Sequence, residues 1–160
     1  MSSCIVRLAV VDDAAVVAAL LRDAFDGYRP FYTPDAFAAT TPSADQIRQR
    51  WNEGPVWIAL HGGQPIGTVS AAPRGADLYM RSMAVHPASR GGGCGRQLLA
   101  AVEAFAASHR HDRLVLSTTP FLDPAIRLYE RAGFRRSAAG PHDLAGTPLF
   151  TMEKDLSAGS

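Results

Sequence analysis

The chain has 160 residues, 47% of them hydrophobic, enough for one domain that buries about 70% of its unfolded-chain surface and needs no second. Lys and Arg number 16 against 15 Asp and Glu, so the net charge of +1 gives no argument for nucleic acid, an anionic membrane or an acidic partner, and any anion site must be local. Cys4 and Cys94 are too few for a disulfide framework and the charged start MSSCIVRLAVVDD lacks a signal peptide's apolar core, so a reducing, cytoplasmic setting is expected.

The opening CIVRLAV reads as a β-strand, after which Asp12 or Asp13 caps a helix carrying Val16, Leu20 and Ala24 on one stripe. The apolar run Ala14 to Leu21 falls far short of the roughly 20 residues that span a bilayer. Residues 27–42, GYRPFYTPDAFAATTP, mix prolines, aromatics and small residues and read as a packed loop. Ser43 then starts a short helix that Gly54 ends.

From Pro55 the hydrophobic period becomes two. PVWIALHGG, QPIGTVSAAP and ADLYMRSMAV, turned at Gly62-Gly63 and Arg74-Gly75, predict three consecutive antiparallel strands. In the third, strict alternation puts Asp77, Tyr79, Arg81 and Met83 on one face and Leu78, Met80, Ser82 and Ala84 on the other. A helix beginning near Gly93 carries Leu98, Val102 and Phe105 on a stripe, with Leu99 and Ala106 beside it. There follow a strand over 113–119, a helix from Asp123 to Gly133 with Pro124 at its first position, and strands FRRSA and TPLFTME. The expected domain covers residues 1–160, with a frayed tail over 155–160.

Between the third strand of this group and its helix lies RGGGCGR, four glycines in seven positions. Backbone N–H groups there can converge on an anion at the positive end of the helix dipole, although glycines at such a turn also simply permit close packing. A Walker A loop would need GxxxxGK and a hydroxyl residue, and a Rossmann fingerprint would need GxGxxG; neither spacing is present. What remains is Arg90-x-x-Gly93-x-Gly95, preceded by MAVHP and followed by the pair Leu98 and Leu99. Further on stands AIRLYERAGF, Ala125 to Phe134.

Both blocks, in this order, resemble the GCN5-related N-acetyltransferases, whose loop reads Arg/Gln-x-x-Gly-x-Gly/Ala and whose second block reads roughly Ala-x-x-x-Tyr-Glu-x-x-Gly-Phe. The resemblance implies an α/β fold of the α+β type: a mixed, mostly antiparallel sheet of six to seven strands with helices on both faces. It implies transfer of an acyl group, most simply acetyl from acetyl-CoA, to an amine. Gly91, Gly92, Gly93, Cys94, Gly95 and Arg96 would offer N–H groups to the CoA pyrophosphate, with Arg90 and Arg96 as charge partners. The strand near Met83, Ala84 and Val85, where it splays from its neighbour, would bind pantetheine and supply the oxyanion donor.

Tyr129 matches the family's usual thiolate acid; from its own surroundings it fits equally a core aromatic on the stripe Ala125, Leu128, Tyr129 and Ala132. The family's frequent Asn contact to pantetheine is Leu122 here, so Thr118 and Thr119 are the replacement polar contacts. Its frequent base, a Glu in the strand before the loop, is also missing: Tyr79 stands about there and Asp77 two residues upstream is the substitute base or a solvated turn carboxylate. Tyr28, Phe31, Tyr32 and Phe37, with Tyr79, would line an acceptor pocket with few charges, which favours a small, partly apolar amine over a protein tail. Cys94 sits at a helix N-terminus beside arginines, where a thiol becomes reactive, yet no Cys-His or Ser-His pair is evident, and direct attack in a ternary complex is expected. The five histidines form no metal constellation, so no metal is expected. A homodimer is compatible with these features. The rival readings are a CoA-binding regulatory module without turnover, a longer acyl donor, and a protein amine.

Overall fold

The alternating run after Pro55 forms the three strands it predicts. In the computed structural model, which describes residues 4–156, β1 (Cys4–Leu8) is followed by α1 (Ala14–Phe25), α2 (Pro34–Thr40) and α3 (Ala44–Arg50). Then come β2 (Val56–His61), β3 (Gln64–Arg74), β4 (Asp77–Val85) and α4 (Cys94–Ser108). The chain closes with β5 (Arg113–Thr118), α5 (Asp123–Arg131), β6 (Arg135–Ser137), the hairpin β7 (Asp143–Leu144) and β8 (Thr147–Pro148), and β9 (Phe150–Asp155).

Seven strands make one sheet in the order β1-β2-β3-β4-β5-β9-β6, and only the β4–β5 pairing is parallel. The fold is thus the α/β, mostly antiparallel type expected, with helices on both faces. On one face α4 buries Leu98, Leu99, Val102 and Ala106 against Leu78, Met80 and Leu114. Each large aliphatic chain so buried contributes about 1.5–3 kcal/mol of transfer free energy. On the other face α1 to α3 bury Leu20, Leu21, Phe37 and Ile47 against Val56 and Ile58.

Three local expectations need correction. Residues 34–40 are helical rather than loop: Thr33 Oγ1 accepts from Ala36 N at 3.2 Å and Pro34 starts the helix, two ordinary marks of an N-terminus. The chain is ordered further than expected at its end, because Asp155 belongs to β9 and Leu156 N donates to Asp112 O at 2.8 Å; the rest of the expected tail, 157–160, lies outside the described residues. The strict alternation of β4 fails at Ser82. Thr68 pairs with Ala84 but Ser70 with Arg81, so β4 carries one extra residue, and Ser82 takes a left-handed φ of 54°. This bulge exchanges the faces: Leu78 and Met80 pack with α4, but past the bulge it is Met83 and Val85 that do so, while Ala84 turns to α1.

Candidate active site

β4 pairs with β5 only from Asp77 to Met80, although β4 runs on to Val85 and β5 to Thr118. Beyond Met80 the two parallel strands part, and the gap opens a cavity of about 780 Å³. That is a normal size for a small-molecule site. Met83, Ala84 and Val85 form one wall; Leu116, Ser117, Thr118 and Thr119 on and just after β5 form the other.

At the C-terminal end of β4 the glycine loop closes the cavity with Arg90, Gly91, Gly93, Cys94, Gly95 and Arg96. Gly93 caps α4 with φ 86°, and Gly91 has φ 89°, a region that side-chain-bearing residues avoid. The first helical hydrogen bond runs from Gln97 N to Gly93 O at 3.1 Å, which leaves the N–H groups of Cys94, Gly95 and Arg96 without helical acceptors, forming the positive end of the dipole. Arg90 donates to Ala24 O at 3.3 Å, which ties the loop to the end of α1. Gly92 does not line the cavity. A pyrophosphate fits this cradle: unpaired N–H groups, two arginines and no side chain at the left-handed positions.

Cys94 is not a free thiol. It is 3% exposed and joined by a disulfide to Cys4 of β1, with 5.6 Å between Cα atoms, so the thiol chemistry that its sequence position suggested is not available while its N–H remains at the helix start. Tyr129, on α5, is 6% exposed and borders the cavity; its ring stands 5.7 Å from that of Phe134. Burial pushes its phenol well above its ordinary value, so it stays protonated through the neutral range. No described group accepts a hydrogen bond from it.

Tyr28, Tyr32 and Tyr79 line the cavity, as do Thr118 and Thr119. Burial raises the Tyr32 phenol, with the hydroxyls of Thr119 and Thr40 acting in the other direction. Phe31 does not belong to the pocket: it is 62% exposed and stacks on Phe121 at 5.3 Å. Asp77 is also removed from the site. It sits at the far end of β4, outside the cavity lining, where Arg113 grips both its carboxylate oxygens at 3.1 Å.

The charged lining is arginine alone. Arg90 and Arg96 lie on the loop, Arg127 and Arg131 on α5, and Arg50, Arg74 and Arg81 on α3, β3 and β4, while among the described residues no Asp or Glu lines the cavity. The near-zero net charge hides this local field, and of the five arginines outside the loop only Arg127 and Arg131 fall within a motif block, AIRLYERAGF, whereas Arg50, Arg74 and Arg81 have none around them.

The sequence model described as the acetyltransferase (GNAT) family matches residues 19–134, which include the loop, β4 and α5. The chain belongs to this acetyltransferase family. Among GNAT relatives, human N-acetylaspartate synthetase is 30% identical over 156 residues, covering 90% of this chain and 51% of that protein. Mouse probable N-acetyltransferase family 8 member 5 is 31% identical over 116 residues, covering 68% of this chain and 51% of that protein. This GNAT chain therefore spans about half the length of these relatives. The PaiA N-acetyltransferase of Thermoplasma acidophilum, solved in complex with coenzyme A, shares the fold with a TM-score of 0.79 at 14% identity, covering 96% of this chain and 99% of that one.

Proposed function

We propose that this chain transfers an acetyl group from acetyl-CoA to the primary amine of a small molecule, by direct attack in a ternary complex. The observation that carries the reading is one continuous cavity joining three things: the N–H cradle of the loop, the unpaired edge of β4 and the buried hydroxyl of Tyr129. Acetyl-CoA supplies an activated thioester. The N–H groups of Gly91 and of Gly93 to Arg96 bind the pyrophosphate, with Arg90 and Arg96 offsetting its charge. The edge of β4 past Met80 aligns the pantetheine arm like an added strand and presents N–H near Met83 to Val85 to the carbonyl oxygen as it gains charge. Tyr129 holds its proton toward the departing sulfur.

The amine reaches the site as the free base, and the proton its nitrogen sheds after attack passes to solvent, which in turn reprotonates Tyr129 once its own proton has gone to the thiolate. Surrounded by arginines, an ammonium is disfavoured, so the acceptor's pKa falls and more of it is present as the free nucleophile. With Cys94 in a disulfide there is no thiol for a covalent route. The cavity volume and its tyrosine lining support a small molecule over a protein tail. The test is to incubate the protein with acetyl-CoA and a panel of amines and follow free thiol. Release that depends on an amine, and that Tyr129→Phe slows by about 100-fold or more at unchanged CoA affinity, is expected. CoA binding without release from any amine would instead make the chain a CoA-binding module.

A further inference from the structure

Arg50 reaches from the end of α3 into the cavity and donates to Ser82 Oγ at 2.6 Å. Among the described residues no carboxylate lies within ion-pair distance of it. Its neighbour Arg81 commits one end of its own guanidinium to Glu53 at 2.6 Å, while its Nε is buried with no partner. Two guanidinium groups therefore stand together at the wall of a cavity that no described Asp or Glu lines, and among the described residues only one of them has an acidic partner. Withdrawing a cation from water beside a like charge is unfavourable unless an anion is supplied. The Arg50 pKa registers that environment: burial first, and Arg81 second, pull it down to about 10, with Glu53 opposing.

The bulge in β4 holds this arrangement. Ser82 adopts its left-handed φ of 54° there, a conformation unfavourable for serine, and its hydroxyl meets the guanidinium. Ser82 precedes Val85 by three residues, about 10 Å along the strand on the side away from the glycine loop. An anion at Arg50 thus belongs to the acceptor and not to the pyrophosphate, which has its own cradle and arginines.

We propose that the acceptor is an amine that also carries a carboxylate, an amino acid in the broad sense, and that Arg50 receives this carboxylate while Ser82 positions the guanidinium. The planar fork of Arg matches two carboxylate oxygens, and the remaining N–H groups of Arg50 and the free Nε of Arg81 are the donors present. This inference rests on the acetyltransferase reading and narrows its substrate.

The experiment follows CoA thiol release with matched sets: amino acids, their carboxamides, the decarboxylated amines, and aminoalkyl phosphates. For the unaltered protein kcat/KM is expected to favour at least one amino acid over its carboxamide and decarboxylated partners by about 30-fold or more, chiefly through KM. Arg50→Gln should reduce that preference to a few-fold and Arg50→Lys should keep part of it. Ser82→Gly, which suits the left-handed backbone and deletes the hydroxyl, should lower the preference with CoA affinity unaltered. Equal use of acids and carboxamides by the unaltered protein overturns the subsite while leaving acetyl transfer standing, and so does a preference for aminoalkyl phosphates or one that survives Arg50→Gln. If no amine of any class releases thiol, the acetyltransferase reading fails and the subsite falls with it.

Discussion

Gly95 of α4 and Leu128 of α5 are in contact: a Cβ built on Gly95 would stand 2.9 Å from Leu128 Cδ2, and the next nearest atoms are Met83 Cε at 3.6 Å and Val85 Cγ2 at 3.8 Å. The last glycine of the loop thus lets the cradle helix approach both the helix that carries Tyr129 and the strand that borders the cavity. Gly93 has a different reason to be glycine, since a Cβ there meets nothing within 4 Å but φ is 86°.

The two glycines should therefore fail differently. Gly95→Ala displaces the end of a flexible Leu side chain and is expected to cost about 1 kcal/mol, roughly 3 °C in Tm, while Gly95→Val should cost about 3 kcal/mol and slow turnover by moving α5. Gly93→Ala leaves packing alone but strains the cap by about 1–2 kcal/mol, so its effect should appear chiefly as weaker CoA binding in titration calorimetry. Equal CoA affinity for Gly93→Ala and the parent protein would remove Gly93 from the cradle.

Much of this was legible in the sequence where local chemistry decides structure. The period-two run gave β2 to β4, the Leu98, Leu99 and Val102 pattern gave the buried side of α4, and the loop's position between strand and helix gave its place at the cavity. Helix α2 was also marked, by Thr33 and Pro34, but neighbouring prolines and aromatics obscured it. What could not be read depends on contacts distant in the chain. A one-residue bulge at Ser82 reverses the faces of β4 with no change in composition, the pairing of Cys4 with Cys94 joins residues 90 apart, and Arg50 meets Ser82 across 32 positions. The positions of Asp77 and Phe31 were hidden for the same reason: Arg113, which holds the Asp77 carboxylate, and Phe121, on which the exposed Phe31 stacks, are remote in sequence.

Asp77 provides a sharp check on that correction. A general base contributes about 10²–10⁴-fold to a rate. Because Asp77 is held by Arg113 outside the cavity, Asp77→Asn is expected to leave kcat within about twofold. A hundredfold loss with acetyl-CoA affinity intact would restore it as the base.

The Cys4–Cys94 disulfide closes a loop of 90 residues and ties the start of α4 to β1. Chain entropy for such a loop predicts stabilisation of about 4–5 kcal/mol, of which about 2–4 is ordinarily observed. Cys4→Ala should therefore lower Tm by about 5–15 °C. Adding a reductant should bring the parent protein down to the same value and leave Cys4→Ala where it was; a parent Tm indifferent to reductant would show that the bond adds no stability.

Tyr129 supplies a pH dependence with a definite sign. Burial raises its folded-state pKa above the ordinary phenol value of about 10, so below that value both folded and unfolded chains hold the proton and the group adds no pH dependence to stability. As pH rises past about 10 the unfolded chain releases the proton while the folded one retains it, and folding is progressively disfavoured. The Tm difference between the parent and Tyr129→Phe should thus be constant from pH 6 to 9, in round terms, and shift against the parent between about pH 10 and 11. In catalysis the same shift means that Tyr129 causes no loss of rate on the alkaline side below about pH 10: kcat/KM should rise as the amine deprotonates and then level off. A fall in rate between pH 8 and 9, present in the parent and missing in Tyr129→Phe, would mean a phenol titrating near neutrality, contrary to its burial in α5 beside Phe134.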